Sequence, residues 1–383
     1  MVSSFRTTPK ILMGPGAVAQ LGECVRGLRG TRCFVVTDPG LARAGILEAV
    51  EGALAAAGVE TAAFPEVEPE PPIPVAQRCA EALRGFQADC VVGVGGGSSL
   101  DVAKVASVAA VHGEQRLTDF FGVDAVPGPG LPLVAVPTTA GTGSEVTPIA
   151  ILSDEAAQLK KGIVSDFLLP RAAVLDPELT LGLPPPVTAA TGLDALIHAV
   201  EAFTSVRASS LTDLLAVQAI RLIHRNLRTA YARGADLEAR ARLLEGSLLA
   251  GMAFANAGVT AVHAFAYPLG ARFHVPHGVA NSVMLLSVLR FNLIGDLPKF
   301  ARLAEAFDTG AGGSPRARAE SALDAIDELI RDVGVPTRLR DLGVPEEALD
   351  DMAAGAMEVT RLLANNPRTI RLEDAAAIYR DAY

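Results

Sequence analysis

The chain has 383 residues, half of them hydrophobic, with 25 prolines and 36 glycines spread along it. A chain of this length usually divides into two domains, and this composition is typical of a compact enzyme rather than of a disordered or fibrous protein. The formal charge of −10 is not offset by any basic run, which argues against nucleic acid or an anionic membrane as the main partner.

The four cysteines include no C-x-x-C pair, so we interpret them as reduced core residues of a cytoplasmic protein. The N-terminus lacks a basic segment followed by an apolar one, and no apolar run reaches the roughly 18 residues of a membrane span. The sequence therefore predicts a protein that is neither secreted nor inserted in a membrane.

The first half alternates short β-branched runs with alanine-rich stretches of helical periodicity. The predicted strands are 33–37, 90–94, 133–136 and 172–176. The predicted helices are 42–57, 75–87 and 99–111. Strand and helix in alternation indicate a parallel sheet covered on both faces.

The pattern changes after "LGLPPPV" at 181–187. The proline triplet ends regular structure, and the sequence from about Thr188 has long stretches of helical periodicity. We therefore predict an α/β nucleotide-binding domain over 1–184 and an all-α domain over 185–383.

A strand, three glycines and a helix follow one another in "VVGVGGGSSLDVAKVA" at 91–106. Glycines at such a turn let backbone N–H groups approach a phosphate, which the helix N-terminus also favours, although a plain tight turn is the alternative. The spacing fits neither G-x-G-x-x-G nor a P-loop. Upstream, Asp38 follows a predicted strand, where it either accepts hydrogen bonds from an adenosine ribose or forms an ordinary turn.

A second glycine-rich segment, "VAVPTTAGTGSEVTPIAIL" at 134–152, carries Thr138, Thr139, Thr142 and Ser144 between apolar flanks. Alone it is compatible with either a hairpin or a ligand loop. Together with the first segment it suggests a nucleotide held by two loops that expose backbone groups.

Asp194 and His198 stand four positions apart in "TGLDALIHAVEAF" and would share one helix face. Three roles are compatible with such a pair: helix capping, an ion pair or metal binding. His263, His274 and His277 cluster in a later proline- and glycine-containing segment. Imidazoles and a carboxylate together suit a borderline divalent ion such as Fe²⁺ or Zn²⁺.

These motifs, in this order, resemble the iron-containing (group III) alcohol dehydrogenase family over essentially the whole chain. They run from "ILMGPGA" through "GGGSSLDVAK", "PTTAGTGSEVT", "LDPELT" and "ATGLDALIHAVEAF" to "VHAFAYPLGARFHVPHGVAN". The resemblance implies an N-terminal nucleotide-binding domain, a helical metal-binding domain with a cleft between them, as in dehydroquinate synthase-like folds, and a homodimer.

The resemblance also implies roles for particular residues. The metal ligands correspond to Asp194, His198, His263 and His277. His263, His277, Tyr267 and His274 are expected around the reacting groups, with His274 outside the ligand set.

The residues that the resemblance implies for cofactor binding lie mainly in the two glycine-rich segments. They are Asp38 as the NAD-favouring acid, Gly95, Gly96, Gly97 and Ser98 at the pyrophosphate, Thr138, Thr139 and Thr142 on the adenine and phosphate side, and Lys160 near the ribose. Two positions depart from the family pattern. Glu70 stands where asparagine is frequent, and Tyr267 where a second histidine is frequent.

We therefore predict an NAD- and metal-dependent dehydrogenase that interconverts a small primary alcohol and its aldehyde, with Fe²⁺, or Zn²⁺ as a substitute, in the cleft. The main alternative is a hydroxyacid–oxoacid transhydrogenase with tightly bound nicotinamide, whose branch is similar in carrying tyrosine at the position of Tyr267. Maleylacetate reductase or glycerol dehydrogenase relatives and a non-enzymatic metal or nucleotide sensor are further alternatives.

Overall fold

The computed structural model describes residues 4–154 and 159–383. Two compact units make up the fold, Arg6–Gly182 and Leu183–Tyr383. The break between them lies in the proline-rich turn, two residues before the boundary drawn from the sequence.

The nine strands found among the described residues all lie in the first unit. They are β1 (Ile11–Met13), β2 (Arg32–Val36), β3 (Glu60–Phe64), β4 (Cys90–Gly95), β5 (Gly122–Val123), β6 (Leu133–Pro137), β7 (Ile149–Asp154), β8 (Leu159–Val164) and β9 (Ala172–Leu175). Six of them form a wholly parallel sheet in the order β1-β9-β6-β4-β2-β3. The predicted parallel sheet is thus confirmed.

Both faces of this sheet are covered by five helices: α1 (Leu21–Gly27), α2 (Pro39–Arg43), α3 (Ile46–Ala56), α4 (Ile73–Phe86) and α5 (Gly97–Val111). Successive strand residues point to opposite faces, so Phe34 and Val36 pack in one apolar cluster while Cys33 and Val35 pack in the other. This double burial explains why the strands read as continuous apolar runs. All four cysteines are buried and free.

The helix predicted over 42–57 is interrupted, because Gly45 adopts a left-handed conformation with φ 78° between α2 and α3. The sequence also gave no indication of β1, β3 or β8, which are short or poor in β-branched residues and form by pairing with neighbouring strands.

A second, three-stranded sheet has the order β5-β8-β7, with β7 and β8 antiparallel. The hairpin alternative for residues 134–152 is therefore wrong, since β6 lies in the large sheet and β7 in the small one. The chain between them forms a loop that leaves the carboxyl end of β6.

The second unit is helical. Its helices are α6 (Pro185–Thr204), α7 (Ser210–Ala232), α8 (Leu237–Ala257), α9 (Ala261–Phe273), α10 (His277–Asn292), α11 (Leu297–Ala306), α12 (Pro315–Asp332), α13 (Leu349–Met357), α14 (Thr360–Leu363) and α15 (Leu372–Ala382). The long α6, α7 and α8 pack on one another, and α10 packs on α6, α9 and α15.

The stretch His277–Gly295, which contains α10, is long and apolar enough by length and composition to cross a membrane, contrary to the expectation from the sequence. It is 67% buried inside the protein. We interpret α10 as a core helix of this unit.

Candidate functional site

Asp194 and His198 lie on α6, which begins with Pro184 at the N-cap and Pro185 in the first turn, where proline is tolerated. Their spacing of four residues stacks them on one face, and both are buried, at 3% and 5% exposure. His198 Nδ1 lies 3.9 Å from Asp194 Oδ2, and its ring stacks on Phe254 at a centroid distance of 4.2 Å. A buried carboxylate and a ring fixed by packing are therefore presented together.

His263 on α9 and His277 at the start of α10 meet this pair. His263 Nε2 lies 3.1 Å from His198 Nε2, and His277 Nε2 lies 3.8 Å from Asp194 Oδ1. One ligand atom from each of Asp194, His263 and His277 falls within 4.8 Å of the others. The structure thus brings together the four residues that the sequence proposes as metal ligands.

The donor set fits a divalent ion of intermediate softness, since it offers one carboxylate and three imidazoles from three helices. Burial raises the pKa of Asp194, but the positive charges of His198, His277 and His263 and a bond from Asn281 together outweigh it, so that its pKa is lower than usual. Asp194 is therefore an anion available to a cation.

Asn281 is a site residue that the sequence reasoning missed. It is fully buried one turn after His277 on α10, and its Nδ2 lies 2.8 Å from Asp194 Oδ1 and 3.2 Å from both His263 Nε2 and His277 Nε2. Its Oδ1 is buried without a hydrogen-bond partner in the part of the chain that the structure describes. A buried amide left half satisfied is uncommon, and this one lies against three proposed ligand atoms. The polar groups here are thus arranged for a further bound group.

Glu201 is the second residue that was missed. Its fully buried side chain accepts hydrogen bonds at Oε1 from Thr260 N at 2.9 Å, Thr260 Oγ1 at 2.7 Å and Val262 N at 2.9 Å, while Oε2 contacts His263 Nδ1. A carboxylate on Nδ1 holds the imidazole in the tautomer whose Nε2 lone pair can bind a metal. A signal was present in the sequence, because Glu201 follows Asp194 by seven residues and His198 by three on the same helix face.

This contact alters the protonation of both partners. Burial raises the pKa of Glu201, but the charge and hydrogen bond of His263 and the bonds from Thr260 outweigh it and lower the pKa overall. Burial lowers the pKa of His263, yet Glu201 and Asp194 raise it above its usual value. Glu201 is therefore an anion that stabilises positive charge on the ligand ring.

Tyr267 and His274 have different surroundings. Tyr267 lies on α9 four residues after His263, hence on the same side of the helix, and its burial raises the pKa of the phenol. His274 is exposed and ends α9 in a left-handed conformation with φ 53°. Tyr267 is thus a neutral phenol on the ligand side, whereas His274 shapes the turn before His277.

The predicted phosphate-binding residues lie in the first unit. Gly95 ends β4 with φ 147°, Gly96 is the N-cap of α5, and a Cβ on Gly95 would lie 2.6 Å from Ser99 Oγ. The turn therefore requires glycine, and it presents the N-terminus of a 15-residue helix, a favourable place for a phosphate. We call residues 95–98 the glycine turn.

Residues 138–143 leave the carboxyl end of β6 beside this turn, and we call them the threonine loop. Thr138 N donates to Gly95 O at 3.0 Å, and a Cβ on Gly97 would lie 2.8 Å from Thr142 Cγ2. Because β4 and β6 are parallel neighbours, the two segments meet at the edge of the sheet where ligands of α/β proteins usually bind.

Asp38 and Lys160 have protein partners in this unit. Asp38 follows β2 and caps α2, its Oδ1 accepting from Gly40 N at 2.8 Å and Leu41 N at 3.0 Å. Lys160 on β8 lies 2.5 Å from Glu70 Oε1. Asp38 is thus the N-cap residue of α2, and Glu70 is the ion-pair partner of Lys160.

Comparison with known proteins agrees with these two units. Residues 8–177 match the family described as iron-containing alcohol dehydrogenase, and residues 188–383 match the C-terminal part of the Fe-containing alcohol dehydrogenase family. The chain belongs to the iron-containing alcohol dehydrogenase family.

Individual relatives are similar over nearly all of their length. The chain is 43% identical over 377 residues to long-chain-alcohol dehydrogenase 1 of Geobacillus thermodenitrificans (strain NG80-2), covering 97% of this chain and 94% of that protein. It is 35% identical over 382 residues to the NAD-dependent methanol dehydrogenase of Bacillus methanolicus, covering all of both. The crystal structure of a 1,3-propanediol oxidoreductase superposes with a TM-score of 0.97 at 42% identity over all of both chains. The chain is therefore an alcohol oxidoreductase of the iron-containing family, and it uses a metal and NAD.

Proposed function

We propose that this chain interconverts a small primary alcohol and its aldehyde with NAD(H), using Fe²⁺ held by Asp194, His198, His263 and His277. The observation that carries the proposal is the convergence of these four side chains, with His263 backed by the buried Glu201. Zn²⁺ is the expected substitute, because the same donor atoms accept it.

The chemistry assigned to the ion is that of a Lewis acid that lowers the pKa of the alcohol hydroxyl. Asp194 offsets part of the positive charge, and Glu201 keeps the Nε2 atom of His263 directed at the ligand set. Because Asp194, His198 and His263 are at most 5% exposed, water is kept from much of the site.

NAD is proposed to bind at the glycine turn and the threonine loop. Backbone N–H groups of Gly96, Gly97 and Ser98 would hold the pyrophosphate, and Thr138, Thr139 and Thr142 would line the adenine and phosphate side. Bound in this way, the cofactor would supply the acceptor for the hydride of the carbinol carbon. Asp38 Oδ2, which makes no hydrogen bond with the residues that the structure describes, would accept from a ribose hydroxyl and repel a 2′-phosphate. Lys160 is proposed near the ribose.

Tyr267 is proposed to line the site as a neutral hydrogen-bonding group, because its raised pKa keeps the phenol protonated at physiological pH. His274 is proposed to line the approach to the site without binding the metal. We further propose a cytoplasmic location, in keeping with four buried cysteines that form no disulfide. The homodimer is proposed from the family resemblance.

The direct test is anaerobic purification with metal analysis, followed by a panel of alcohols and hydroxyacids with NAD and NADP. We expect about one divalent ion per chain and NADH formation from primary alcohols. The proposal would be refuted if the purified protein bound no metal, or if it reduced neither NAD nor NADP with any alcohol.

A second candidate is supported by Tyr267, which stands on the ligand side of α9 where the resemblance leads us to expect a histidine. It is a hydroxyacid–oxoacid transhydrogenase that keeps its nicotinamide bound. Turnover of a hydroxyacid with an oxoacid, without stimulation by added NAD and without free NADH from any alcohol, would favour this candidate over the dehydrogenase.

A further inference from the structure

Lys104 is a fully buried lysine that the proposed chemistry does not use. It lies on α5, and its three N–H groups face four acceptors, which are Ser144 Oγ at 2.7 Å, Thr147 O at 2.9 Å, Thr147 Oγ1 at 3.2 Å and Ile149 O at 2.8 Å from Nζ. Lysine is rarely buried unless its charge is paired or hydrogen-bonded. All of its acceptors belong to the segment that directly follows the threonine loop.

Asp101, one turn earlier on α5, holds the same segment. Its Oδ1 accepts from Ser144 Oγ at 2.7 Å and its Oδ2 accepts from Ile151 N at 2.8 Å. Ser144 has a single hydroxyl hydrogen, which it donates to Asp101, so its lone pairs are left for Lys104. Ser144 therefore links the carboxylate and the ammonium, and we call Asp101, Lys104 and Ser144 the anchor cluster.

Burial makes the charges of this cluster depend on one another. Burial lowers the pKa of Lys104 to about 8, against the opposing effects of Asp101 and Glu145. Burial likewise raises the pKa of Asp101, while Lys104 and the bond from Ser144 lower it. Removing the link between the two charges would leave each of them poorly compensated in the interior.

The threonine loop is thus fixed at both ends. At its start, Thr138 N donates to Gly95 O at 3.0 Å. At its end, Ser144 is held to α5 by Lys104 and Asp101, and its N–H donates to Thr142 Oγ1 at 3.3 Å. Between these points Thr142 approaches Gly97 so closely that an added Cβ would lie 2.8 Å from it. A shift of the threonine loop by a few tenths of an ångström would therefore change the gap between this loop and the glycine turn.

We propose that the anchor cluster positions the threonine loop against the glycine turn and thereby sets the affinity for the dinucleotide. The inference rests on the proposed function, which assigns both segments to NAD. Asp101, Lys104 and Ser144 are positioning residues, since they act on the backbone of the loop and not on the reacting groups.

The test compares Ser144→Ala with Ser107→Ala. Ser107 is also on α5 and is 2% exposed, but its hydroxyl donates to the carbonyl of Lys104 within the helix and not to the loop. Binding of NADH and of ADP-ribose is measured by fluorescence titration, together with KM for NAD, kcat, metal content and the midpoint of thermal unfolding.

Ser144→Ala is expected to weaken NADH and ADP-ribose binding by about tenfold and to raise KM for NAD to a similar extent, with kcat, KM for the alcohol and metal content within about twofold of wild type. Ser107→Ala should keep the dissociation constants, KM values, kcat and metal content within about twofold of wild type. A loss shared by ADP-ribose assigns the effect to the ADP-ribose part of the cofactor and not to the nicotinamide ring.

Unchanged NADH binding in folded Ser144→Ala, or an equal loss in Ser107→Ala, would overturn the proposal. If Ser144→Ala does not fold, Asp101→Asn serves instead, because it keeps the side-chain volume and replaces one of the two oxygens that accept from Ser144 Oγ and Ile151 N with an amide NH2, which only donates. It should weaken NADH binding about threefold, and wild-type affinity would overturn the proposal. A wild-type protein that binds neither NADH nor ADP-ribose would overturn the nucleotide assignment as well, which separates the two failures.

Discussion

Glu201→Gln tests whether the buried carboxylate prepares His263 to bind a metal. The glutamine carbonyl oxygen can keep the bonds from Thr260, which leaves the amide NH2 facing His263 Nδ1. Since that NH2 group only donates, Nδ1 must accept and the ring proton must move to Nε2. A protonated Nε2 cannot bind a metal, so the variant has to break a hydrogen bond before His263 can serve as a ligand.

Loss of such a supporting group lowers metal affinity by about 10- to 100-fold, or about 1.4 to 2.7 kcal/mol. The measurement is competition against a chromophoric chelator, with metal content as a second readout. Glu145→Gln is the matched control, because Glu145 is also a buried glutamate, at 2% exposure, but belongs to the first unit. Affinity within about twofold of wild type in Glu201→Gln, or an equal loss in Glu145→Gln, would refute the reasoning.

Four further outcomes are expected. His263→Ala should lose the metal and all turnover, whereas the exposed His274→Ala should keep the metal; equal metal loss would contradict the ligand assignment. Asp38→Gly should narrow an NAD preference over NADP of about tenfold in kcat/KM, and an undiminished preference would leave Asp38 only its capping role. Burial raises the pKa of Glu145 to about 7, so the folded state holds a proton that the unfolded state has released, and this group makes wild type less stable as the pH rises from about 4.5 to about 7. In urea unfolding, Glu145→Gln should therefore gain about 2 to 3 kcal/mol relative to wild type between about pH 5 and about pH 8, and a pH-independent difference would contradict that pKa. Tyr267→His should add a limb near pH ~6.5 to the pH profile of alcohol oxidation, and an unchanged profile would exclude position 267 from proton transfer.

The parallel sheet was predictable because its inner strands are buried on both faces and therefore read as uninterrupted apolar runs, such as the one at β4. The strand β3, "ETAAF", has no such pattern and forms because its backbone pairs with β2 over five residues. The break at Gly45 was missed because the apolar periodicity continues across this residue, although its φ of 78° interrupts the helix.

The sequence by itself determined the features that depend on local spacing. Glycines between a strand and a helix indicated a turn that a side chain would obstruct, and the four-residue spacing of Asp194 and His198 indicated a shared helix face. The clustering of His263 and His277 completed a donor set whose chemistry suggested a metal.

Only the tertiary structure decided which groups support these features. Glu201 meets His263 across 62 residues, Asn281 meets Asp194 across 87, and Lys104 meets Ser144 across 40. Such contacts leave no periodic trace, because a buried charge or amide is satisfied by whichever backbone the packing brings within hydrogen-bonding distance. The residue types that bind were therefore visible in the sequence, whereas the partners that hold them in place follow from the packing of helices and loops distant in the chain.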